Sequence, residues 1–334
     1  AFGLREWCDA SAGSAKMTMA SLLAKTNPDA ADEGPLFPFP SMDELYKACP
    51  SFPQSREFTA GVEEAFLNAK DVLKTVLDPL TQPLSWLLEG ALFIFLAAPW
   101  WIVVPLILMF VWYVCRSVAV TTFVTVSFAF LAFIDHLDAA LQTLAIIAVC
   151  TGICIILGVP VGIAMAKSNR FQRSLLPLLD LLQTLPTFVY LIPLIFLFSV
   201  TEPKLYGIAI IVYAIVPVIR LTDLGIRLVD QDVVEAANAF GMSSRQKLFG
   251  IELPLALPNI MAGVNQTIMM SLAMVVIASL VSAPGLGVLV LRGIRNLELG
   301  VGLIAGLGIV LLAVILDRVS KAAIARVSSD QTFK

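Results

Sequence analysis

Residues 235–254, EAANAFGMSSRQKLFGIELP, gather the side chains of this chain best equipped for specific binding. Asp230 or Asp232 can cap a helix start there, and Glu235 falls in its first turn, where a carboxylate favours the positive helix end. Ala236, Ala237 and Phe240 give that helix a small apolar face. Gly241 suits the left-handed position that ends a helix. Ser243 and Gln246 have capping-box spacing and restart a second short helix, and Pro254 marks the start of the next apolar segment. The chemistry on offer is docking rather than catalysis. Local physics alone equally describes an ordinary interhelical loop with two short surface helices.

Catalytic residue sets are not found. No G-x-x-x-x-G-K-[S/T] phosphate loop occurs. The nearest Gly-rich run, Gly158-Val-Pro-Val-Gly162, lies in a hydrophobic stretch and lacks the Lys-Ser/Thr pair. No catalytic residue and no cofactor are therefore expected in this chain. His136 is the single histidine, so no metal site is expected. Cys115, Cys150 and Cys154 fall in apolar runs and read as small apolar fillers. Cys8 and Cys49 sit in a polar region, where an oxidising compartment would allow a disulfide between them. A net charge of −3 without a basic stripe argues against nucleic acid as a partner.

These residues are carried by a membrane protein. Of 334 residues 58% are hydrophobic and 14% charged, with a mean hydropathy of +0.88, against about 25% charged in a soluble domain. The fold class is all-α and polytopic, with about seven transmembrane helices. The apolar runs are 100–115, 118–134, 139–166, 177–200, 205–222, 256–283 and 300–319. The first two are short. Residues 84–98 are apolar too, but Glu89 and Gly90 interrupt them, and an interfacial helix is expected there, with an eighth span as the alternative. Up to about Pro99 the chain is polar and acidic, with thirteen Asp/Glu against seven Lys/Arg. Within it, residues 26–53 read as irregular, and Phe58 to about Leu80 as an amphipathic helix on the outer membrane face or on the bundle. The expected organisation is a tail over 1–83, an interfacial helix and two spans over 84–134, a core over 135–322 with its loop at about 223–255, and a tail over 323–334. The chain opens at Ala1 rather than Met, which leaves room for preceding residues, and no binding-protein domain is expected after the last span.

Positive charge sets the orientation. Arg116, Lys167, Arg170, Arg173, Arg227, Arg245, Lys247, Lys321 and Arg326 fall on one side when seven spans alternate, and that side is assigned to the cytoplasm. The acidic N-terminus then lies outside and the C-terminus inside. Arg292 and Arg295 dissent, on the outside. Pro284, Gly285 and Gly287 precede them, and the segment reads either as a re-entrant gate or as a plain outside loop.

Polar residues inside spans have two readings. Asp180, Gln183 and Thr184, and Asn265, Gln266 and Thr267, either bond between helices or line a wet path. Phe188 and Tyr190 beside them either pack in the core or offer aromatic faces to a cation. Trp100, Trp101, Trp112 and Tyr113 read as an interfacial belt.

The spacing Glu235-Ala236-Ala237, Gly241, Ile251-x-Leu253-Pro254 resembles the cytoplasmic signature loop of binding-protein-dependent ABC importer permeases at every fixed position. DLLQTLPTFVYLIPLIFLF (180–198), AGVNQTIMMSLAMVVIASLV (262–281) and GLGVLVLRGI (285–294) are similar to the permease subunit of glycine betaine/proline betaine importers, whose relatives handle choline, carnitine or trimethylamine N-oxide. The likeness covers roughly 138–322. It implies a type I importer core in the bacterial inner membrane and a coupling-helix loop seated in a separate ATPase, with Ala236, Ala237, Phe240 and Phe249 as apolar anchors and Glu235 and Arg245 setting register. Implied partners are a second copy of the chain, two ATP-binding subunits that use ATP and Mg, an extracytoplasmic substrate-binding protein, and membrane lipid. It also implies a path lined by Gln183, Thr184, Phe188, Tyr190, Asn265, Gln266 and Thr267, and import of an osmoprotectant. A permease for another small substrate such as an amino acid is the alternative. An ion-coupled secondary transporter would need mid-membrane carboxylates and internal repeats, and only Asp180 near one span end answers that need.

Overall fold

The computed structural model describes the backbone of residues 55–332 and the side chains of 59–326. Its helices are α1 (Ser55–Ala97), α2 (Trp100–Cys115), α3 (Val118–Phe133), α4 (Leu137–Lys167), α5 (Asn169–Thr184), α6 (Leu191–Leu197), α7 (Pro203–Arg227), α8 (Gln231–Ala239), α9 (Ser244–Lys247), α10 (Leu253–Ala278), α11 (Leu286–Asn296) and α12 (Leu299–Thr332). Tight helical turns occupy Thr187–Tyr190 and Ser279–Val281, and a wide-turn stretch occupies Leu248–Glu252. The packing below belongs to one compact unit, Val72–Lys334. Of the unit before it, the described part is the start of α1.

The centre is the trio α4, α7 and α10. Small residues bring these helices close, as lipid-embedded bundles require. A Cβ added at Gly162 of α4 would lie 2.6 Å from Thr222 Cβ and 2.7 Å from the Ile219 carbonyl oxygen of α7. One added at Gly263 of α10 would lie 3.1 Å from Val218 Cα. The Gly158–Gly162 run is thus a helix seam. A second layer joins α2, α3 and α12 to the start of α4 through Val111, Val124, Phe128, Leu131, Leu141 and Leu312.

Among the described residues, five helical stretches are long and apolar enough to cross a membrane: Thr59–Ala97, Leu137–Lys167, Pro203–Arg227, Ser244–Val281 and Leu299–Arg326. A sixth forms if Asn169–Thr184 and Thr187–Leu197 are taken together, bent by 107°. The run expected as one span at 177–200 is therefore broken. Pro186 is the cause, because a residue before proline is pushed out of the helical region, and Leu185 sits at ψ 134. The short runs at 100–115 and 118–134 form α2 and α3, of 16 residues each. At ~1.5 Å per residue each is ~24 Å long, under the ~30 Å of hydrocarbon.

The N-terminal expectation needs correction. The amphipathic helix near 58–80 and the interfacial helix at 84–98 are one helix, α1, and the boundary at 83/84 falls inside it. Pro79 and Pro83 lie within it, and Glu89 and Gly90 do not interrupt it. Glu is a good helix former and one Gly costs only about 1 kcal/mol, so a dip in hydropathy is not a break in backbone. At the other end α12 runs to Thr332, so the tail expected at 323–334 is helical that far. Cys8, Cys49 and the irregular segment at 26–53 lie outside the described residues.

α1 is fastened to α7 at the end of the bundle opposite the 228–252 loop. Lys204 Nζ, 4% exposed as a residue, bonds Asp78 of α1 at 2.7 Å and Glu202 at 2.8 Å, and it lies 5.2 Å from the centre of the Phe198 ring. Leu84 and Leu88 of α1 cover Gly207 of α7.

Candidate functional site

The loop leaves the bundle at Arg227 and returns at Glu252. Asp230 caps α8, its carboxylate accepting from the Asp232 amide at 3.0 Å. α8 closes on Gly241 at φ +74. The Gly241 amide donates to the Asn238 carbonyl at 3.0 Å and the Met242 amide to the Ala237 carbonyl at 3.1 Å. This pair of bonds is a Schellman closure, which needs a left-handed residue and so favours glycine. Ser243 and Gln246 form the expected capping box: the Ser243 amide donates to Gln246 Oε1 at 2.9 Å, and Ser243 Oγ accepts from the Gln246 amide at 3.4 Å. α9, the wide-turn stretch and α10 then follow without interruption, with Pro254 in the first turn of α10.

Two large apolar side chains stand uncovered on the hairpin. Phe240 is 88% exposed and Phe249 68% exposed, and Glu235, Ala236 and Arg245 are exposed too. Ala237, expected among the anchors, is buried in the lone chain. Leu253 and Pro254 are half-buried at the start of α10 and position the loop rather than front it.

Beneath the loop lies a polar network that sequence reading missed. Glu252 is buried and paired with Lys167. Asp223 is buried and accepts from Arg227 Nε at 2.8 Å and from Gln172 Nε2 at 2.6 Å. Its members are scattered over 165–172, 223–227 and 252, so no local motif announces them. The available signal was a carboxylate within reach of each apolar helix end, beside basic residues on the same side.

The expected path residues separate into two groups. Gln183, Thr184, Phe188 and Gln266 are exposed on the bundle surface, and Gln183 Nε2 lies 3.9 Å from Met270 Sδ, which links α5 to α10. Asn265, Thr267 and Tyr190 are not on an open face. Asn265 bonds Ser320 and, at 3.4 Å, Asp317 of α12. Thr267 is buried, and Tyr190 packs its ring 6.3 Å from that of Tyr213. Of these three, Asn265 bonds between helices, while the buried Thr267 and Tyr190 hydroxyls have no hydrogen-bond partner. Asp180 pairs with Arg220 of α7.

The expected gate is an ordered corner. Gly285 sits at φ +121, and the Leu286 amide donates to Thr143 Oγ1 of α4 at 3.0 Å. Gly287 lies against Ser279 and Val276. Arg292 pairs with Glu298 at 3.2 Å, and Arg295 is exposed. Cys115, Cys150 and Cys154 are free thiols, the latter two buried.

Comparison with known proteins agrees with this geometry. Residues 158–329 match the family described as binding-protein-dependent transport system inner membrane component. The glycine betaine/proline betaine transport system permease protein ProW of Escherichia coli (strain K12) is 38% identical over 285 residues, 85% of this chain and 78% of that protein. The glycine betaine transport system permease protein OpuAB of Bacillus subtilis (strain 168) is 42% identical over 229 residues, 68% of this chain and 76% of that one. A chain of the MetNI methionine ABC transporter, solved in an inward-facing conformation, superposes with a TM-score of 0.52 over 57% of this chain and 95% of its own length, at 18% identity, and so shares the fold. With its apolar helices and its signature loop, the chain belongs to the binding-protein-dependent inner membrane components, the multi-pass permease subunits of ABC importers.

Proposed function

We propose that this permease carries a small quaternary or methylated amine, glycine betaine foremost, into the cell. Support comes from the glycine betaine relatives, which resemble this chain over most of their length. The importer family works with ATPase and substrate-binding components. In our reading the 228–252 hairpin faces the cytoplasm, where the Phe240 and Phe249 face seats an ATPase subunit. ATP and Mg are used there, outside this chain. The opposite end, with Lys204 and α11, faces outward toward the binding protein. The C-terminal end of α12 lies inside.

A second copy of the chain completes the path. The exposed strip of Gln183, Thr184, Phe188 and Gln266 lies on the α5–α10 surface, where a twofold partner would enclose it. Uncharged polar groups and one aromatic suit a substrate that must pass without being held, while selectivity rests with the binding protein. Exposed apolar side chains elsewhere, such as Trp100, Trp101 and Phe133, face lipid.

The test is uptake into proteoliposomes holding this chain, the ATPase and the binding protein. Labelled glycine betaine should accumulate with ATP, and excess methionine should not compete. Uptake of an amino acid instead of betaine would reject the substrate while leaving the permease reading intact.

A further inference from the structure

Both ends of the loop are fastened to one corner of the bundle. At its return, Glu252 Oε2 accepts from Lys167 Nζ, on the last residue of α4. At its departure, Arg227 is bonded to Asp223, and its guanidinium also donates to Asn169 Oδ1 at 2.7 Å and to the Met165 carbonyl at 2.7 Å. Gln172 of α5 completes the set on Asp223. The α4–α5 corner is thus held by a loop that departs from α7 and returns into α10. α8 itself stands off from that corner across a pocket of about 380 Å³ whose walls include Lys167, Arg227, Val234 and Glu252. The wide-turn stretch that carries Glu252 is a departure from regular helix, often found at functional sites.

We propose that the Lys167–Glu252 pair at the loop's return, and the Arg227 guanidinium on Asn169 and the Met165 carbonyl at its departure, are a positioning joint, which makes the loop and the α4–α5 corner move as one body. Displacement of the loop is then delivered to α5, whose far end carries Gln183 and Thr184 of the exposed strip, with Phe188 just beyond the Pro186 break. Neither carboxylate is on the docking face, since both are buried behind it. The two carboxylates are withdrawn from water while Lys167 and Arg227 stay partly exposed, so a carboxylate left without its cation is the costly member and the joint resists slippage. This inference rests on the reading of the loop as the seat of an ATPase.

The experiment uses the reconstituted complex with its ATPase and binding protein. It compares Glu252→Gln, Lys167→Met, and the exchange Lys167→Glu with Glu252→Lys. Three quantities are read: ATPase co-purified, ATP hydrolysed, and labelled glycine betaine moved per ATP. Each single change should leave the ATPase bound and hydrolysing while betaine moved per ATP falls on the order of tenfold. The exchange should recover most of that loss, whereas a pair that only stabilised the fold would change how much protein accumulates and leave betaine moved per ATP as it was. Should Lys167→Met fail to accumulate, Glu252→Gln, which keeps size and an acceptor oxygen, decides alone. Unchanged transport per ATP in the single variants overturns the proposal. So does loss of bound ATPase in them, because the pair would then only shape the docking surface. An exchange no better than the worse single variant also overturns it. Failure of the unaltered chain to retain the ATPase strikes the docking reading instead.

Discussion

Lys247 Nζ donates to Asn238 Oδ1 at 3.0 Å across the Gly241 turn, clasping the two short helices of the loop to each other. With the Schellman closure and the capping box, this bond shapes a hairpin that has little apolar core of its own. Its large apolar side chains are therefore free to point outward. Pre-shaped surfaces bind with less ordering cost, and a lever must be stiff to transmit motion.

Gly241→Val tests that shape. A Cβ at Gly241 meets no atom within 4 Å, so the only penalty is the backbone at φ +74. A β-branched residue there costs about 1–2 kcal/mol. We expect the variant to accumulate in the membrane with its bundle intact while ATPase co-purification drops. Gly241→Asn, which tolerates the left-handed region, should keep most of it. Normal coupling in the valine variant would contradict the account.

Phe240→Ala and Phe249→Ala separate docking from folding. Each should weaken ATPase binding by about 10- to 30-fold, the scale of an aromatic interface anchor. Both side chains are exposed in the lone chain, so its own stability should move by less than about 0.5 kcal/mol. ATPase titration together with thermal unfolding in detergent checks both halves.

The corner before α11 should be intolerant of any side chain at Gly285. An added Cβ would lie 2.3 Å from Thr143 Oγ1, and the backbone is at φ +121. Gly285→Ala should destabilise by about 2–3 kcal/mol. Gly306→Ala in α12, where no atom lies within 4 Å, should be neutral or stabilising by up to about 1 kcal/mol. Paired unfolding curves decide it.

Lys204→Met should loosen α1. It leaves Asp78 and Glu202 without their cation, and both are about a third exposed, so water offsets part of the loss. A cost of about 1–3 kcal/mol is expected. Limited proteolysis should then cut near Asp78 faster than in the unaltered chain. An unchanged cutting pattern would show that Leu84 and Leu88 alone hold the helix.

Local signals in the sequence were readable where one short stretch carried all the information. Asp230, Gly241, Ser243 and Gln246 behave as their capping chemistry predicts, because a cap depends on neighbours within a few residues. Apolar runs located the helices for the same reason. What the sequence divided or left open has the opposite property. The expectation set two helices apart at 83/84, yet α1 runs unbroken through Pro83, so the two stretches form one helix. Asn265 was open between a wet path and a helix-to-helix bond, because its partners Asp317 and Ser320 lie more than fifty residues away. Glu252 occupies the variable position between Ile251 and Leu253, and only the fold brings Lys167 to it.

The central claim is that the Phe240–Phe249 face seats the ATPase, and site-directed crosslinking reads it most directly. A photoreactive residue at 240 or 249 should give an adduct with the ATPase subunit, and one at Val288 in α11, at the opposite end, should give none. Adducts at 288 without adducts at 240 and 249 would contradict the account.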